Sequence, residues 1–348
     1  WVTAVQMACL VRPFGGRVAR MLTRDTIAEY FAPVRERLMK YLSEVPEPRF
    51  KHEKYEPISH GLIALKDLEK SMGNTNANEQ MDGFRLSMVE KLLSCSTFDR
   101  QMNGLAEIAL LIEEVEDIPP HQSAWLTPAR LAAWLHEHKV LNKLFGMNLH
   151  HQAYVDKLVV IVTFLSKAAA LPPATLDLIW RSAEGQHETI VVNIHRLLAE
   201  IAPELDGGQL DHLFQLLHAT SQAVVSEDNS REFQRLLQLL RTIGEKAQQG
   251  AVAEKVLDFL WSASCSEELP DKLCQYSCRI QASLLETIAL TQQQMHGEAV
   301  QRYEAAKKRR ALVQQGPQPA PGPQHGPVQQ PPADQSQQGG GGGGAGGG

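Results

Sequence analysis

Long apolar runs are missing from this 348-residue chain. The densest, Leu158 to Leu165, is eight residues long and sits inside a helical pattern. That is far short of the ~18 residues a membrane-spanning helix requires, so a soluble chain is expected. Cysteine is scarce: Cys9, Cys95, Cys265, Cys274 and Cys278 are too few and too unevenly spaced for a disulfide framework, which points to a reducing, cytoplasmic compartment. Cys274 and Cys278 share a face of an expected helix, but with no further ligands they read as two packed thiols. No dense basic face exists either. The formal charge is −6, and basic residues are scattered except for Lys307-Lys308-Arg309-Arg310, which argues against nucleic-acid binding. Such a run suits the C-terminal pole of a last helix, a nuclear address being the alternative reading. Residues 1–24 hold Arg12, Arg17, Arg20 and Arg24 and no acid, in the manner of a transit segment, yet they are poor in serine. The chain opens on Trp1 rather than Met, as expected of a piece of something longer.

Catalytic patterns are absent too. His136-Glu137-His138 is not the His-Glu-x-x-His of zinc proteases, because helical residues two apart point to different sides. His187-Glu188 has its next histidine eight residues on at His195, about two turns away. His150-His151 are adjacent and His212 is six residues from His218, so none has ligand geometry. No glycine-rich phosphate loop and no serine nucleophile elbow occur. No metal or other cofactor is expected. Strand signals are nearly missing: there is no sustained period-two alternation and no Asn-Gly or Asp-Gly hairpin turn.

Helical periodicity fills the space these absences leave. Residues 25–43 read as a helix, 46–60 as a proline-bearing connector, and Ser71 to Gln80 as a loop or weak boundary. Beyond it, Phe84, Met88, Val89, Leu92 and Leu93 mark one helical face, and Met102, Leu105, Ile108, Leu111 and Ile112 the next. Pro119-Pro120 ends that pair, and Thr127-Pro128 is a cap followed by proline at the first helical position. Four helical phrases then end in an aromatic: Leu131 to Trp134, Leu176 to Trp180, Leu210 to Phe214 and Leu257 to Trp261. The aromatics lie 46, 34 and 47 residues apart, close to the ~40–47 of one armadillo or HEAT unit. Trp134, Trp180, Phe214 and Trp261 are therefore expected to be buried repeat anchors. Between them, Ile190, Val191, Ile194, Leu197, Leu198 and Ile201 form one stripe, with Pro203 and Gly207-Gly208 breaking it. Phe233, Leu236, Leu237, Leu240 and Ile243 follow the polar turn at 226–230.

The expected architecture is all-α: an armadillo/HEAT-like α-solenoid, a right-handed stack of roughly ten helices, with a disordered C-terminal tail. Residues 1–79 form an N-terminal helical segment with linkers, 80–291 the repeats and 292–313 a polar charged helix. Residues 314–348 are a Gln/Pro/Gly tail that cannot bury enough apolar area to offset ordering. Stacked repeats build extended surfaces that usually bind proteins. His187, Glu188, Asn193, His195 and His212 are candidate partner contacts, a cap or an inter-helix hydrogen bond being the other use open to such side chains.

Several phrases resemble one family. Phe98-Asp99-Arg100-Gln101-Met102-Asn103-Gly104-Leu105, Leu110-Leu111-Ile112-Glu113, Tyr154-Val155-Asp156-Lys157-Leu158 and Ile179-Trp180 are similar to the helical region upstream of the protease domain in the very large ubiquitin-specific proteases of the fat facets type. Asn193-Ile194-His195, Gln209 to Phe214 and Lys255 to Trp261 continue the likeness collinearly over residues 80–270. The resemblance implies a non-catalytic, armadillo-like scaffold of a thiol-dependent deubiquitinase, with ubiquitinated substrates or adaptors as partners. The family's catalytic residues have no counterparts: the cysteines stand as Ala8-Cys9-Leu10, Ser94-Cys95-Ser96, Ser264-Cys265-Ser266, Leu273-Cys274-Gln275 and Ser277-Cys278-Arg279, none within a Gly-Leu-x-Asn-x-Gly-x-x-Cys-Tyr box. The likeness is expected to lapse after about residue 270. A free-standing HEAT-like adaptor unrelated to ubiquitin is the alternative.

Overall fold

The computed structural model describes residues 3–50, 52–74, 76–117, 124–224 and 230–314. Expectations placed on Trp1, Pro119-Pro120, the turn at 226–229 and the tail from residue 315 lie outside the described residues. Within them the chain is helical and contains no strand.

The N-terminal part is α1 (Ala4–Val11), α2 (Arg24–Thr26), α3 (Ala32–Glu44), α4 (Glu47–Phe50) and α5 (Tyr55–Ser71). Thr3 and Gln6 close a capping box on α1. A π-helical turn at Ile27–Phe31 joins α2 to α3, where Pro33 lacks the N–H that a regular turn would use. The expected connector at 46–60 is mostly helix. Pro57 falls in the first turn of α5, where its missing N–H is not needed, so the proline does not mark a break.

The repeats follow as α6 (Ala77–Ser94), α7 (Phe98–Glu116), α8 (Pro128–Glu137), α9 (Val140–Leu144), α10 (Gln152–Lys167), α11 (Pro173–Arg181), α12 (Glu188–Ile201), α13 (Gly207–Ala223), α14 (Ser230–Lys246), α15 (Gly250–Ser264) and α16 (Asp271–Gln314). Thr127 caps α8 by accepting from Arg130 N at 3.2 Å. Gly207 and Gly208 open a helix rather than end one, because Asp206 and Gln209 form a capping box around them (2.8 and 3.0 Å). Helices α7, α10, α12 and α14 pack each on the next, and α11, α13 and α15 form a parallel row. The described residues up to Thr291 make one compact unit, and α16 from Gln292 onward belongs to a second.

Two apolar cores run through the first unit. One gathers residues from Ala4 to Cys95, the other from Leu86 to Leu284. Helix α6 serves both: Met81, Met88 and Leu92 face the first, Leu86, Val89 and Leu93 the second. Between α5, α6 and α7 lies a buried charged network. Arg85, with no exposed surface, donates from Nε to Glu107 Oε1 (2.6 Å) and from Nη1 to Glu114 Oε1 (2.5 Å). Ser59 Oγ donates to Glu107 Oε2 (2.5 Å), and Lys66 Nζ reaches Asp82 (2.5 Å) and Glu114 (3.0 Å). Burial pushes the Asp82 carboxyl up against the pull of Lys66. Burial also works against the Glu114 carboxylate, but Arg85 and Lys66 outweigh it and hold that group below its usual range.

Close approach is paid for in glycine at Gly61 of α5. A Cβ there would lie 2.6 Å from Ala8 Cβ and 2.8 Å from Ala8 Cα, against the backbone of α1. Gly61→Ala is therefore expected to lower the thermal midpoint, although in an exposed helix the same change would stabilise by about 1 kcal/mol. An unchanged or raised midpoint by circular dichroism would show that α1 can move aside freely.

The repeat anchors follow an i, i+3, i+4 pattern, and one expectation fails on it. Leu176, Ile179 and Trp180 are buried in α11, and Leu210, Leu213 and Phe214 in α13. In α8 the set is Leu131, the half-buried Trp134 and Leu135. In α15 it is Val256, Phe259 and Leu260, so Trp261 is not an anchor but 62% exposed. The phrase in α15 is shifted by one residue, and one residue turns a helical side chain by about 100°. Leu260 takes the place of the aromatic and Trp261 turns to the surface.

Candidate functional site

The loop from α11 to α12 and the helices behind it form a groove with apolar walls. Gly185, at φ +66°, lets the chain turn tightly after α11. His187 caps α12, its Nδ1 accepting from Thr189 N at 3.3 Å. Glu188 then occupies the first turn of α12, where a carboxylate suits the helix dipole. It pairs with Arg231 (2.7 Å) and, more loosely, Arg235 (3.5 Å) of α14, and the Arg231 charge holds its carboxyl below the usual range.

These elements enclose a cavity of about 240 Å³ walled by Trp180, Val191, Ile194, Leu198, Val224 and Leu236. The Trp180 indole donates to Thr220 Oγ1 of α13 (3.2 Å) and stacks on His195, with ring centroids 6.2 Å apart at 23°. Arg235 lines the groove, and its Nε is buried without a hydrogen-bond partner among the described residues. Burial, with the nearby Arg235 charge, pushes the His195 imidazole down to about 4, so the ring is neutral at physiological pH. Glu184 and Glu232 stand exposed among the lining residues.

The His195 shift sets a pH prediction. A base whose folded value lies below its unfolded value of about 6.5 binds fewer protons when folded, so stability falls as pH drops from about 6.5 to about 4. Relative to His195→Gln, the unaltered chain should lose up to ~3 kcal/mol more over that window, the ring being largely enclosed. Urea midpoints at pH 7, 5.5 and 4.5 measure this. Parallel curves for the two chains would place the ring in water.

Of the five candidate contact residues, His195 lines this groove, Glu188 pairs with the lining Arg235, and His187 caps α12 without lining it. Asn193 does not line it either: it is only 8% exposed, and its Nδ2 donates to Leu149 O at 2.8 Å, tying α12 to the preceding repeat. His212 pairs with Asp177 Oδ1 (2.8 Å) across α11 and α13. That contact belongs to a series in which an acid on one repeat meets a base on the next: Asp156 with Arg196 (2.6 Å), Glu200 with Lys246 (2.7 Å) and Asp211 with Lys255 (2.6 Å). Sequence reading missed Arg235 and Glu232. The available signal was a second arginine four residues after Arg231, at the edge of the Leu236 stripe. Among the described residues no three His, Cys, Asp or Glu side chains converge as metal ligands, and no helix is long and apolar enough to cross a membrane.

A family model described as the UBP24/USP9X/USP9Y ARM repeat matches residues 79–308. The chain is 33% identical over 317 residues to a Drosophila melanogaster protein named "Probable ubiquitin carboxyl-terminal hydrolase FAF", covering 83% of this chain and 11% of that protein. It is 32% identical over 294 residues to Homo sapiens ubiquitin carboxyl-terminal hydrolase 9Y, covering 78% and 11%. Against Mus musculus ubiquitin carboxyl-terminal hydrolase 24 the identity is 28% over 283 residues, covering 80% and 10%. The chain thus spans about a tenth of the length of the curated relatives it matches. The likeness does not lapse near residue 270 but runs through most of α16. Leu273, Ile280 and Leu284 still pack in the core, but beyond them Met295, Val300 and Tyr303 are exposed among polar positions, so the likeness is faint to the eye there. The match from α6 onward, the stacked helix pairs and the collinear relatives agree: the chain belongs to the UBP24/USP9X/USP9Y ARM repeat family and is an armadillo-like region of the fat facets-type ubiquitin-specific proteases.

Proposed function

We propose that this chain is a non-catalytic helical scaffold segment of a ubiquitin-specific protease, recruiting ubiquitinated substrates or adaptors, or positioning a catalytic domain. The observation that carries the reading is the family match over residues 79–308 to a repeat region making up about a tenth of proteins named ubiquitin carboxyl-terminal hydrolases. Stacked repeats join continuous surface rather than a closed reaction chamber, which suits recruitment. The α11–α14 groove, with its aromatic wall at Trp180, is a part of that surface suited to grip a protein segment. The reading carries a cytoplasmic location with it.

A region exchange tests this. In mouse ubiquitin carboxyl-terminal hydrolase 9X, the segment aligned with this chain would be deleted or replaced by residues 79–308. Deletion should leave hydrolysis of a small fluorogenic ubiquitin substrate intact and reduce removal of ubiquitin from protein substrates, and the replacement should restore it. Unchanged processing of protein substrates after deletion would favour a free-standing adaptor. Ubiquitin cleavage by this chain alone, abolished by changing one cysteine, would make it an enzyme in its own right.

A further inference from the structure

Helices α11, α13 and α15 each turn the same edge to the next member of their row, and the last of these edges is bare. The buried i, i+3, i+4 sets of the three helices fix which positions correspond. On α11 the edge carries Asp177 and Trp180, which meet His212 and Thr220 of α13. On α13 it carries Asp211, Phe214, Gln215 and His218, which border one cleft with Lys255 and Phe259 of α15. There Asp211 pairs with Lys255 (2.6 Å) and His218 stacks on Phe259 with ring centroids 4.5 Å apart. The corresponding edge of α15 is Leu257, Trp261 and Ser264. Among the described residues no further helix of the row follows it, because α16 runs as one helix from Asp271 to Gln314. Trp261 is left 62% exposed, with Leu257 and Ser264 half-buried beside it.

The joints between repeats also share a polarity of charge. Asp156 meets Arg196, Asp177 meets His212, Glu200 meets Lys246 and Asp211 meets Lys255, the acid standing each time on the earlier repeat and the base on the later. Glu254 of α15 lies about two turns before Trp261 and so on the same side of the helix. It is exposed and meets no base among the described residues. From Gly250 to Lys272 the chain carries five acids and two bases, and one of those bases, Lys255, is already held by Asp211.

We propose that the bare edge of α15 docks an amphipathic helix of a partner protein, lying parallel to α15 as α15 lies to α13, with apolar side chains on Leu257 and Trp261 and a lysine or arginine facing Glu254. A helix is the occupant because each earlier edge of the row takes one, and an extended segment would leave its backbone donors and acceptors unpaired against side chains. A partner supplies it because residues 315–348 are mostly Gln, Pro and Gly and hold no amphipathic stripe. The base follows from the polarity of the joints, and an acidic helix, a phosphorylated segment or an anionic membrane would meet the surplus of carboxylates. Tryptophan is among the residues that most often anchor protein interfaces, and an exposed one flanked by apolar surface suits that role.

The test uses the full chain and a peptide with the sequence of α15 (250–264), since Lys255, Phe259 and Ser262 already serve as the docking side of a row helix. In the peptide, positions 257 and 261 are replaced by an i, i+4 hydrocarbon cross-link, which holds a helix too short to be stable alone and removes the peptide's own tryptophan. Binding is read by anisotropy of the fluorescein-labelled peptide and by the Trp261 indole N–H signal in NMR, assigned from Trp261→Phe. It should be saturable, shift that signal and weaken at least ~10-fold in Trp261→Ala. A Lys255→Glu form of the peptide should bind about 3-fold more weakly, and Glu254→Lys in the chain should reverse that preference; melting curves establish that both chain variants fold. Binding unaltered by Trp261→Ala would overturn the edge of α15 as the site, and equal affinity for the two peptides would overturn the basic partner. A Trp261 indole shielded from acrylamide in the free chain would overturn the proposal in favour of a covering segment of this chain. Shielding that grows with chain concentration would overturn it in favour of a second copy. No response to either peptide would overturn it as well, whereas the scaffold reading stands or falls separately on the region exchange.

Discussion

Glu107→Ala is expected to destabilise the chain by about 3–5 kcal/mol, the range seen when one member of a buried ion pair is removed. Glu107 is 1% exposed, and its two oxygens accept from Arg85 Nε and Ser59 Oγ. Without it Arg85 stays fully buried, holding Glu114, whose side chain is 30% exposed, and, more distantly, Asp82 at 4.0 Å. The guanidinium cannot neutralise itself by deprotonation, so the desolvation penalty is left uncompensated. The companion experiment separates that penalty from the net worth of the pair. Arg85→Met combined with Glu107→Leu removes both charges and keeps apolar volume, so the double variant should recover most of the loss. Urea denaturation of the three chains measures both. A single-variant loss below about 1 kcal/mol would mean that water reaches Arg85 once Glu107 is gone.

Trp180→Ala should lower stability by about 3–5 kcal/mol, while Trp261→Ala should stay within about 0.5 kcal/mol of the unaltered chain. Trp180 is 6% exposed, packs in the larger core and spends its indole N–H on Thr220 of the next repeat, so truncation opens a cavity and strands a hydroxyl. Trp261 is 62% exposed and has little packing to lose. Fluorescence adds an independent check, since Trp261→Phe should remove the most red-shifted part of the emission. Equal losses for the two alanine variants would restore Trp261 as a core anchor and contradict the one-residue shift in α15.

Helix identity was largely legible before any coordinates. Thr127-Pro128 announced α8, and the stripe from Ile190 to Ile201 announced α12, because capping and amphipathic periodicity are local properties of a dozen residues. Punctuation was less dependable. Pro57 and Gly207-Gly208 read as breaks and proved to be helix starts, since proline and glycine are tolerated in a first turn whose N–H groups lack intrahelical partners.

By itself, then, the sequence determined the all-α class, the repeat rhythm and the family, all of which rest on short-range patterns repeated along the chain. Only the tertiary structure decided which side chains those patterns bury and which they bring together. Leu257 to Trp261 looks like Leu176 to Trp180, yet a single residue of register sends one tryptophan inward and the other outward, because the helix must turn its whole apolar stripe to the core. Asn193 and His195 are neighbours in sequence but serve different ends, one bound to Leu149 and the other facing a groove completed by Arg235 of α14. That groove exists because α11, α12, α13 and α14 stack, and stacking joins residues one repeat apart that no local pattern connects.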